Sequence, residues 1–346
     1  MKKYKIIFAA QDPGGFNAIA PVIKKFEKDP RFNISVILAE HACLFAEKQG
    51  IRYLNTDKMF FNIEGADLVF TGTSFADSSI EKKIITLAKA ENIPTISIVD
   101  FWTDYVLSFS DFKTRNFRYL PDYILAVDET MKKEMVAKNF PANRIFITGN
   151  PYFDSFLKKS RRNTDKNLVA FFSQPFSEMY KKKFNEVQVF EDIAEAAEKI
   201  DLNNKIVINF HPRTKKFDKF DKAIKNSKLK IKKEKKLHNK DLIEKAEIVA
   251  GINSAMLFEA AMMGKKVLSY QPSLKGQDLL VSNKFGLSVP VYQKKELYRA
   301  MKKMFFRKLQ KNNSKAVKKY TENNSTQKVI NFMVNILENN SSCKIK

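Results

Sequence analysis

Apolar residues in this chain gather in short runs. YKIIFAA at Tyr4–Ala10, DLVFT at Asp67–Thr71, PTISIV at Pro94–Val99 and KIVINF at Lys205–Phe210 are rich in Ile, Val and Phe and are followed by polar or turn-forming residues. Runs this short, apolar on both sides of the pleat, predict buried parallel strands. The same pattern predicts strands at Asn33–Ala39, Tyr123–Val127 and Arg144–Thr148, then at Leu168–Ser173, Lys228–Lys232, Glu247–Ala250, Lys266–Tyr270 and Leu287–Val291. Between them, apolar residues recur at helical spacing. Helices are predicted at Phe16–Lys28, Ala42–Gly50, Ser78–Glu91, Glu129–Asn139, Phe184–Ile200, Asn239–Lys245, Ala255–Met263 and Lys294–Arg307, and one or two more within Ser314–Asn339.

Repeated strand–helix units predict an α/β protein with doubly wound sheets. Asn150-Pro151 closes the first series. KKSRRNTDK, residues 158–166, reads as a linker, after which the pattern restarts. The expected organisation is one domain over residues 1–157, a second over 167–310, and helices over 311–346 that pack back on the first. Ligands in such sheets bind at the carboxyl ends of strands. Two such domains are expected to face a central cleft, so the residues just after strands carry the functional information.

The segment GINSAMLFEAAMMGKKVLSY, Gly251–Tyr270, reads as loop, helix, glycine stop and strand. Asn253 and Ser254 open the helix, whose free N–H groups suit a phosphate. Glu259 lies among apolar neighbours; it is either an exposed carboxylate or the partner of a ribose diol. The strand KIVINF ends in His211-Pro212-Arg213, and His and Arg both suit phosphate. Ser173 and Gln174 follow the first strand of the second half, where a nucleobase can form hydrogen bonds.

In the first half, Gln11-Asp12-Pro13-Gly14-Gly15 follows the opening strand. Gly14 and Gly15 allow close approach of backbone to ligand before a helix expected from Phe16. Asp12 is either a helix cap or a general base. The spacing is not GxGxxG, so the dinucleotide fingerprint is absent. Asp100, Trp102 and Asp104, in VDFWTDY, suit a hydroxylated acceptor; the alternative is a capped loop around a packed tryptophan. Thr71-Gly72-Thr73-Ser74 either lines the cleft or makes an ordinary turn, and Gly149-Asn150-Pro151 reads as a backbone turn. His41 and His238 have no chemical context and read as surface or packing residues.

Two cysteines far apart and three histidines argue against a disulfide framework or zinc site in this chain of 346 residues. No metal and no cofactor are expected. No apolar run approaches the roughly 20 residues of a membrane span, and the first is too short for a secretory signal, so a cytoplasmic location is expected. The formal charge of +24 is uneven: residues 1–157 carry +1 and residues 158–346 carry +23. Arg213–Lys240 alone carries +10 and residues 301–346 carry +9, with Phe217, Phe220, Phe305 and Phe306 interspersed. These segments are either solvated lysine faces or a surface for something anionic. An anionic membrane surface is the expected partner; nucleic acid is not, because no binding motif accompanies the charge.

Taken together, these residues resemble the GT-B glycosyltransferases, with two Rossmann-like domains over almost the whole chain. His211-Pro212 and the Ser254…Glu259-Ala260…Gly264 helix are similar to bacterial sialyltransferases and related capsule and lipopolysaccharide enzymes. The resemblance implies a metal-independent transfer of sugar from a CMP- or UDP-linked donor to a cell-surface glycan or lipid-linked acceptor, on the inner face of the membrane. It implies that His211 and Ser254 hold the donor phosphate, that Glu259 binds the ribose, and that Asp12 is the base. The motif around Asp12 departs from the two acidic residues usual before the glycine. CDP-glycerol phosphotransferases share the His-Pro and Ser-helix pattern. Sugar-nucleotide 2-epimerases share the fold, although their Arg-Pro-Glu element is missing here. A non-enzymatic polyanion-binding protein is the remaining alternative.

Overall fold

The computed structural model describes residues 3–56, 62–156, 164–176, 185–211, 214–234, 239–278, 280–306 and 317–343, with side chains described to residue 339. The chain forms two compact units, Met1–Ser155 with Glu322–Lys346, and Phe156–Thr321.

The first unit is built on seven parallel strands: β1 (Tyr4–Ala10), β2 (Phe32–Leu38), β3 (Leu54–Asn55), β4 (Leu68–Thr71), β5 (Thr95–Ile98), β6 (Tyr123–Ala126) and β7 (Ile145–Ile147), in the order β3-β2-β1-β4-β5-β6-β7. The pleat explains why β1 is apolar throughout. Ile6, Phe8 and Ala10 enter one core, while Ile7 and Ala9 enter the core on the opposite face. The helices are α1 (Pro13–Phe26), α2 (Glu40–Gln49), α3 (Ile80–Ala90), α4 (Tyr105–Phe109) and α5 (Glu129–Val136). The first core also takes Val329, Met333 and Leu337 from the last helix of the chain, Ser325–Cys343. Asp154 secures the head of that helix, accepting from the N–H groups of Ser325 (3.1 Å) and Thr326 (2.8 Å).

The second unit repeats the plan. Six parallel strands, β8 (Asp165–Ser173), β9 (Lys205–Phe210), β10 (Lys230–Glu234), β11 (Ala246–Gly251), β12 (Lys266–Tyr270) and β13 (Val289–Val291), run in the order β10-β9-β8-β11-β12-β13. Helices α6 (Glu186–Ile200), α7 (Asp221–Asn226), α8 (Asn239–Lys245), α9 (Ala255–Met262), α10 (Val281–Lys284) and α11 (Lys294–Phe306) lie between or after the strands; we number the final helix, Ser325–Cys343, α12. Part of the basic charge has a local explanation. β10 is an edge strand with Lys230 and Lys232 exposed, and charge on an edge opposes pairing with another chain. Among the described residues no helix is long and apolar enough to cross a membrane.

Both sheets have the doubly wound order of Rossmann-like domains, so the α/β, GT-B-type fold expected from the sequence is the one observed. One boundary is corrected. α1 begins at Pro13, not Phe16, with Asp12 at the N-cap and both glycines inside the first turn. Proline at the first helical position loses no hydrogen bond. Gly15 is required by packing: a Cβ there would lie 2.7 Å from the carbonyl oxygen and 2.8 Å from the nitrogen of Thr73. The head of α1 thus lies directly on the turn after β4.

Candidate functional site

In the first unit the strand order reverses between β1 and β4, the usual place for a ligand crevice. The turn after β1 brings Gln11, Asp12, Gly14 and Gly15. The turn after β4 brings Gly72 and Thr73, β5 delivers Asp100, and the head of α3 contributes Glu81.

Hydrogen bonds tie these pieces together. The backbone N–H of Gln11 donates to Glu81 Oε1 (2.9 Å), and the Ile80 N–H donates to Gln11 Oε1 (3.1 Å). Turn and helix head therefore clasp each other reciprocally. The Thr73 hydroxyl donates to Asp100 Oδ1 (2.8 Å), and Asn150 Nδ2 donates to the Asp100 carbonyl (3.1 Å). A side chain at Gly14 would run into Asp100 Oδ2, so glycine there leaves room for the carboxylate.

Two carboxyls of this cluster hold protons more tightly than usual. Burial pushes Glu81 up to about 7, against its hydrogen bonds, and the nearby Asp12 charge pushes the same way. Burial likewise pushes Asp100 up to about 6, opposed by the Thr73 hydrogen bond and assisted by Asp12. Asp12 is half-buried and its side chain makes no capping bond. Glu81 is only 2% exposed, and its Oε2 has no hydrogen-bond partner among the described residues. The site thus contains three carboxyls, two of them able to give or take a proton near neutrality.

The second unit gathers a different set. Ser173 ends β8, and Asn253 and Gln271 follow β11 and β12; the three strands are adjacent. Each has a buried side-chain oxygen without a partner among the described residues: Ser173 Oγ, Asn253 Oδ1 and Gln271 Oε1. Buried polar atoms are normally paired, so this cluster has capacity for an incoming polar ligand. Gln174 Oε1 accepts from the Asn253 N–H (3.1 Å), joining the first two turns. Ser254 caps α9 by accepting from the Met256 N–H (3.2 Å). Gln271 Nε2 donates to Ser269 Oγ (2.9 Å) and Asp278 Oδ1 (2.8 Å). Burial would raise Asp278, but bonds from Tyr292, Leu280, Gln271 and Asn283 outweigh it and hold the carboxyl below its ordinary range. His211 is half-buried at the end of β9, and Glu259 is half-buried on α9. Arg213 and His238 lie outside the described residues.

The sequence matches the family of UDP-N-acetylglucosamine 2-epimerases over residues 118–334, well over half its length. The chain belongs to that family. Its fold is similar, at low identity, to solved structures of two UDP-GlcNAc 2-epimerases and of MurG. The UDP-GlcNAc 2-epimerase of Methanocaldococcus jannaschii is 18% identical, with a TM-score of 0.68 over 95% of this chain and 99% of that one. The Neisseria meningitidis enzyme, solved bound to UDP-GlcNAc, is 14% identical, with a TM-score of 0.70 over 96% and 100%. MurG from Acinetobacter baumannii is 11% identical, with a TM-score of 0.57 over 95% and 99%. No curated protein sequence matches the chain.

Membership of the epimerase family favours the second expectation from the sequence over glycosyl transfer. The matched residues, 118–334, do not include the Gln11-Asp12-Pro13-Gly14 turn. Of the first-unit residues expected at a site, Asp12, Gly14, Gly15 and Asp100 come together. Trp102 is a correction: its ring is buried, runs nearly parallel to Phe153 at 6.3 Å, and donates Nε1–H to Asp128 Oδ1 (3.0 Å). That indole is core structure, not a platform for an acceptor sugar. Asp104 is exposed at the head of the short α4, with φ of 54° and no capping bond. His41 is exposed on α2.

Glu81, Gln271 and Asp278 were not among the expected residues of this epimerase-family chain. Glu81 sits in SSIEKK, which reads as an ordinary helix start with a solvated acid. Gln271 follows VLSY directly, as Ser173-Gln174 and Asn253-Ser254 follow their strands; that repeated position was its only signal.

Proposed function

We propose that the chain is a nucleotide-sugar epimerase that inverts the carbon next to the anomeric centre of a UDP-N-acetylhexosamine. The observation that carries this reading is the carboxyl set at the switch point. Inversion at C2 removes a proton from one face of the ring and returns one to the other. That demands groups which both accept and donate near neutral pH, and Asp100 at about 6, with the Asp12 carboxyl acting on it, supplies such a setting. A single glycosyl transfer requires only one base.

The C2 hydrogen has no adjacent carbonyl to acidify it, so its loss is coupled to departure of the phosphate oxygen from C1. As C2 gives up its proton, the C–H electron pair forms a C1–C2 double bond and the nucleoside diphosphate leaves with the C1–O pair. Protonation of C2 on the opposite face, with return of the diphosphate oxygen to C1, completes the inversion. In this reading Asp12 or Asp100 takes the proton. The polar turns of the second unit, Ser173, Gln174, Asn253, Ser254 and His211 with Arg213, hold the nucleotide diphosphate. The α9 N-terminus stabilises the departing charge, and Glu259 binds the ribose. No acceptor glycan is needed.

Incubation with UDP-GlcNAc in D2O tests the proposal. The expected result is a C2 epimer carrying deuterium at C2, seen by proton NMR. Intact substrate with no epimer and no exchange overturns it. The second reading, glycosyl transfer, rests on the absent Arg-Pro-Glu element and on the likeness in fold to MurG; it predicts no C2 deuterium and turnover only with an acceptor.

A further inference from the structure

Glu81 stands out among the buried groups of the molecule. It is a carboxyl in the second position of α3, 2% exposed, in a helix whose neighbouring residues Ile80, Ile84 and Ile85 serve the apolar core. One oxygen holds the Gln11 N–H at 2.9 Å, the peptide group immediately before Asp12. The other oxygen makes no hydrogen bond of normal geometry among the described residues, although the Ser79 hydroxyl acts on the carboxyl from the same helix head. Leaving a buried polar atom unpaired costs about 1–3 kcal/mol in general. A glutamine would hold the same turn without the burden of charge burial, so the chemistry of a carboxyl needs another reason.

The surroundings restrict that reason. α3 packs on β1, β4 and β5. From the β1 side comes the Asp12 charge, from the end of β5 comes Asp100, and β4 contributes the neutral Thr71 and Thr73. The neighbouring cation on α3, Lys82, turns its ammonium to the Ala76 carbonyl (2.8 Å) and lies over the rings of Phe112 and Tyr119. Two charges act on Glu81: Asp12, a like charge, and the adjacent Lys82, an opposite one whose ammonium is held off toward the Ala76 carbonyl. Ionising Glu81 places two carboxylates at the head of α1, in a place with little water to screen them.

We propose that Glu81 is a positioning residue of this site: it seats the Gln11–Asp12 turn and, by carrying or lacking a negative charge beside Asp12, switches the site between an active and an inactive charge state. Neutral Glu81 leaves Asp12 free to act while the turn is held. Charged Glu81 makes a carboxyl at Asp12 hold its proton more tightly, and so opposes the step in which Asp12 gives that proton up again. The inference rests on the epimerase reading for its kinetic consequence, but the charge coupling itself does not depend on that reading.

The test uses the full-length protein and Glu81→Gln, which keeps an oxygen for the Gln11 N–H and cannot ionise. With UDP-GlcNAc as substrate, the wild-type rate is expected to fall as pH rises through about 7, while E81Q extends its alkaline limb upward by about one pH unit. A purely structural role would lower the rate equally at all pH values and leave the profiles superimposable, and that result overturns the proposal. Carboxyl-carbon NMR of the substrate-free protein separates this from the epimerase reading. One glutamate signal should titrate near 7 in wild type and be missing in E81Q. That signal without any C2 exchange would sink the epimerase reading alone. C2 exchange with a Glu81 signal titrating in the ordinary carboxylate range would sink the proposal alone.

Discussion

Thr73 and Asp100 are joined by a hydrogen bond of 2.8 Å from the hydroxyl to Oδ1, linking the turn after β4 to the end of β5. That bond favours the charged carboxylate and opposes the effect of burial. Thr73→Val keeps the shape and removes the donor. Asp100 should then rise above about 6, by about one pH unit if the bond is worth the usual ~1.5 kcal/mol of a charged hydrogen bond. The acid limb of kcat/KM moves to higher pH accordingly. An unmoved limb would show that Asp100 does not govern the rate.

Gly15 lies on the backbone of Thr73, and Gly72 lies on the backbone of Gly15. Backbone cannot rotate away as a side chain can. Gly15→Ala and Gly72→Ala should each destabilise the first unit by about 1–3 kcal/mol, the usual range for overpacking. Urea titration read from first-unit probes checks this. In an ordinary helix interior, Gly→Ala stabilises, so the sign alone decides the case.

The raised carboxyls make stability depend on pH in a defined direction. Between its ordinary 4.5 and about 7, Glu81 keeps its proton in the folded protein and loses it in the unfolded chain. Its contribution is therefore fully present below 4.5 and disappears as pH rises through 7, a swing on the order of 3 kcal/mol. Asp100 acts in the same direction between 3.8 and about 6. Calorimetry should show a lower Tm at pH 8 than at pH 5. E81Q should flatten the part of the slope above pH 6.

Ser254 serves its own helix by accepting from the Met256 N–H. Ser254→Ala should cost about 1 kcal/mol of stability as a lost cap. If the α9 head also binds the diphosphate, affinity for UDP falls about tenfold, ~1.4 kcal/mol, in isothermal titration. Lost stability with unchanged UDP affinity would confine Ser254 to capping.

Asp154 holds Ser325 and Thr326 across 171 and 172 positions of sequence. Asp154→Ala should cost about 0.5–2 kcal/mol and show first as faster amide exchange in the opening turns of α12. Exchange rates equal to wild type there would contradict a capping role.

Much of the fold was legible because both sheets are buried on both faces. β1, β9 and β12, and helix α8, run over the residues that the apolar pattern delimits. The short elements were not legible: β3 has two residues, and α4 and α10 have five and four, too few to show a period. The head of α1 was misread because Pro13-Gly14-Gly15 reads locally as a turn, whereas contact with Thr73 makes glycine the residue that fits a helix there. Asp12 and Asp100 were visible because they follow strands directly. Glu81 was hidden because its burial depends on a turn 70 positions earlier, and Trp102 misled because its partners Asp128 and Phe153 lie outside its own strand–loop segment.

The interlacing of α12 with the first unit also makes that unit discontinuous in sequence. Val329, Met333 and Leu337 complete a core begun by Ile6 and Phe8, so that core closes only when segments more than 300 positions apart meet. The second unit, Phe156–Thr321, lies between those segments and builds its core from its own residues. A chain cut after Thr321 should therefore keep a protease-resistant second unit beside an unfinished first one.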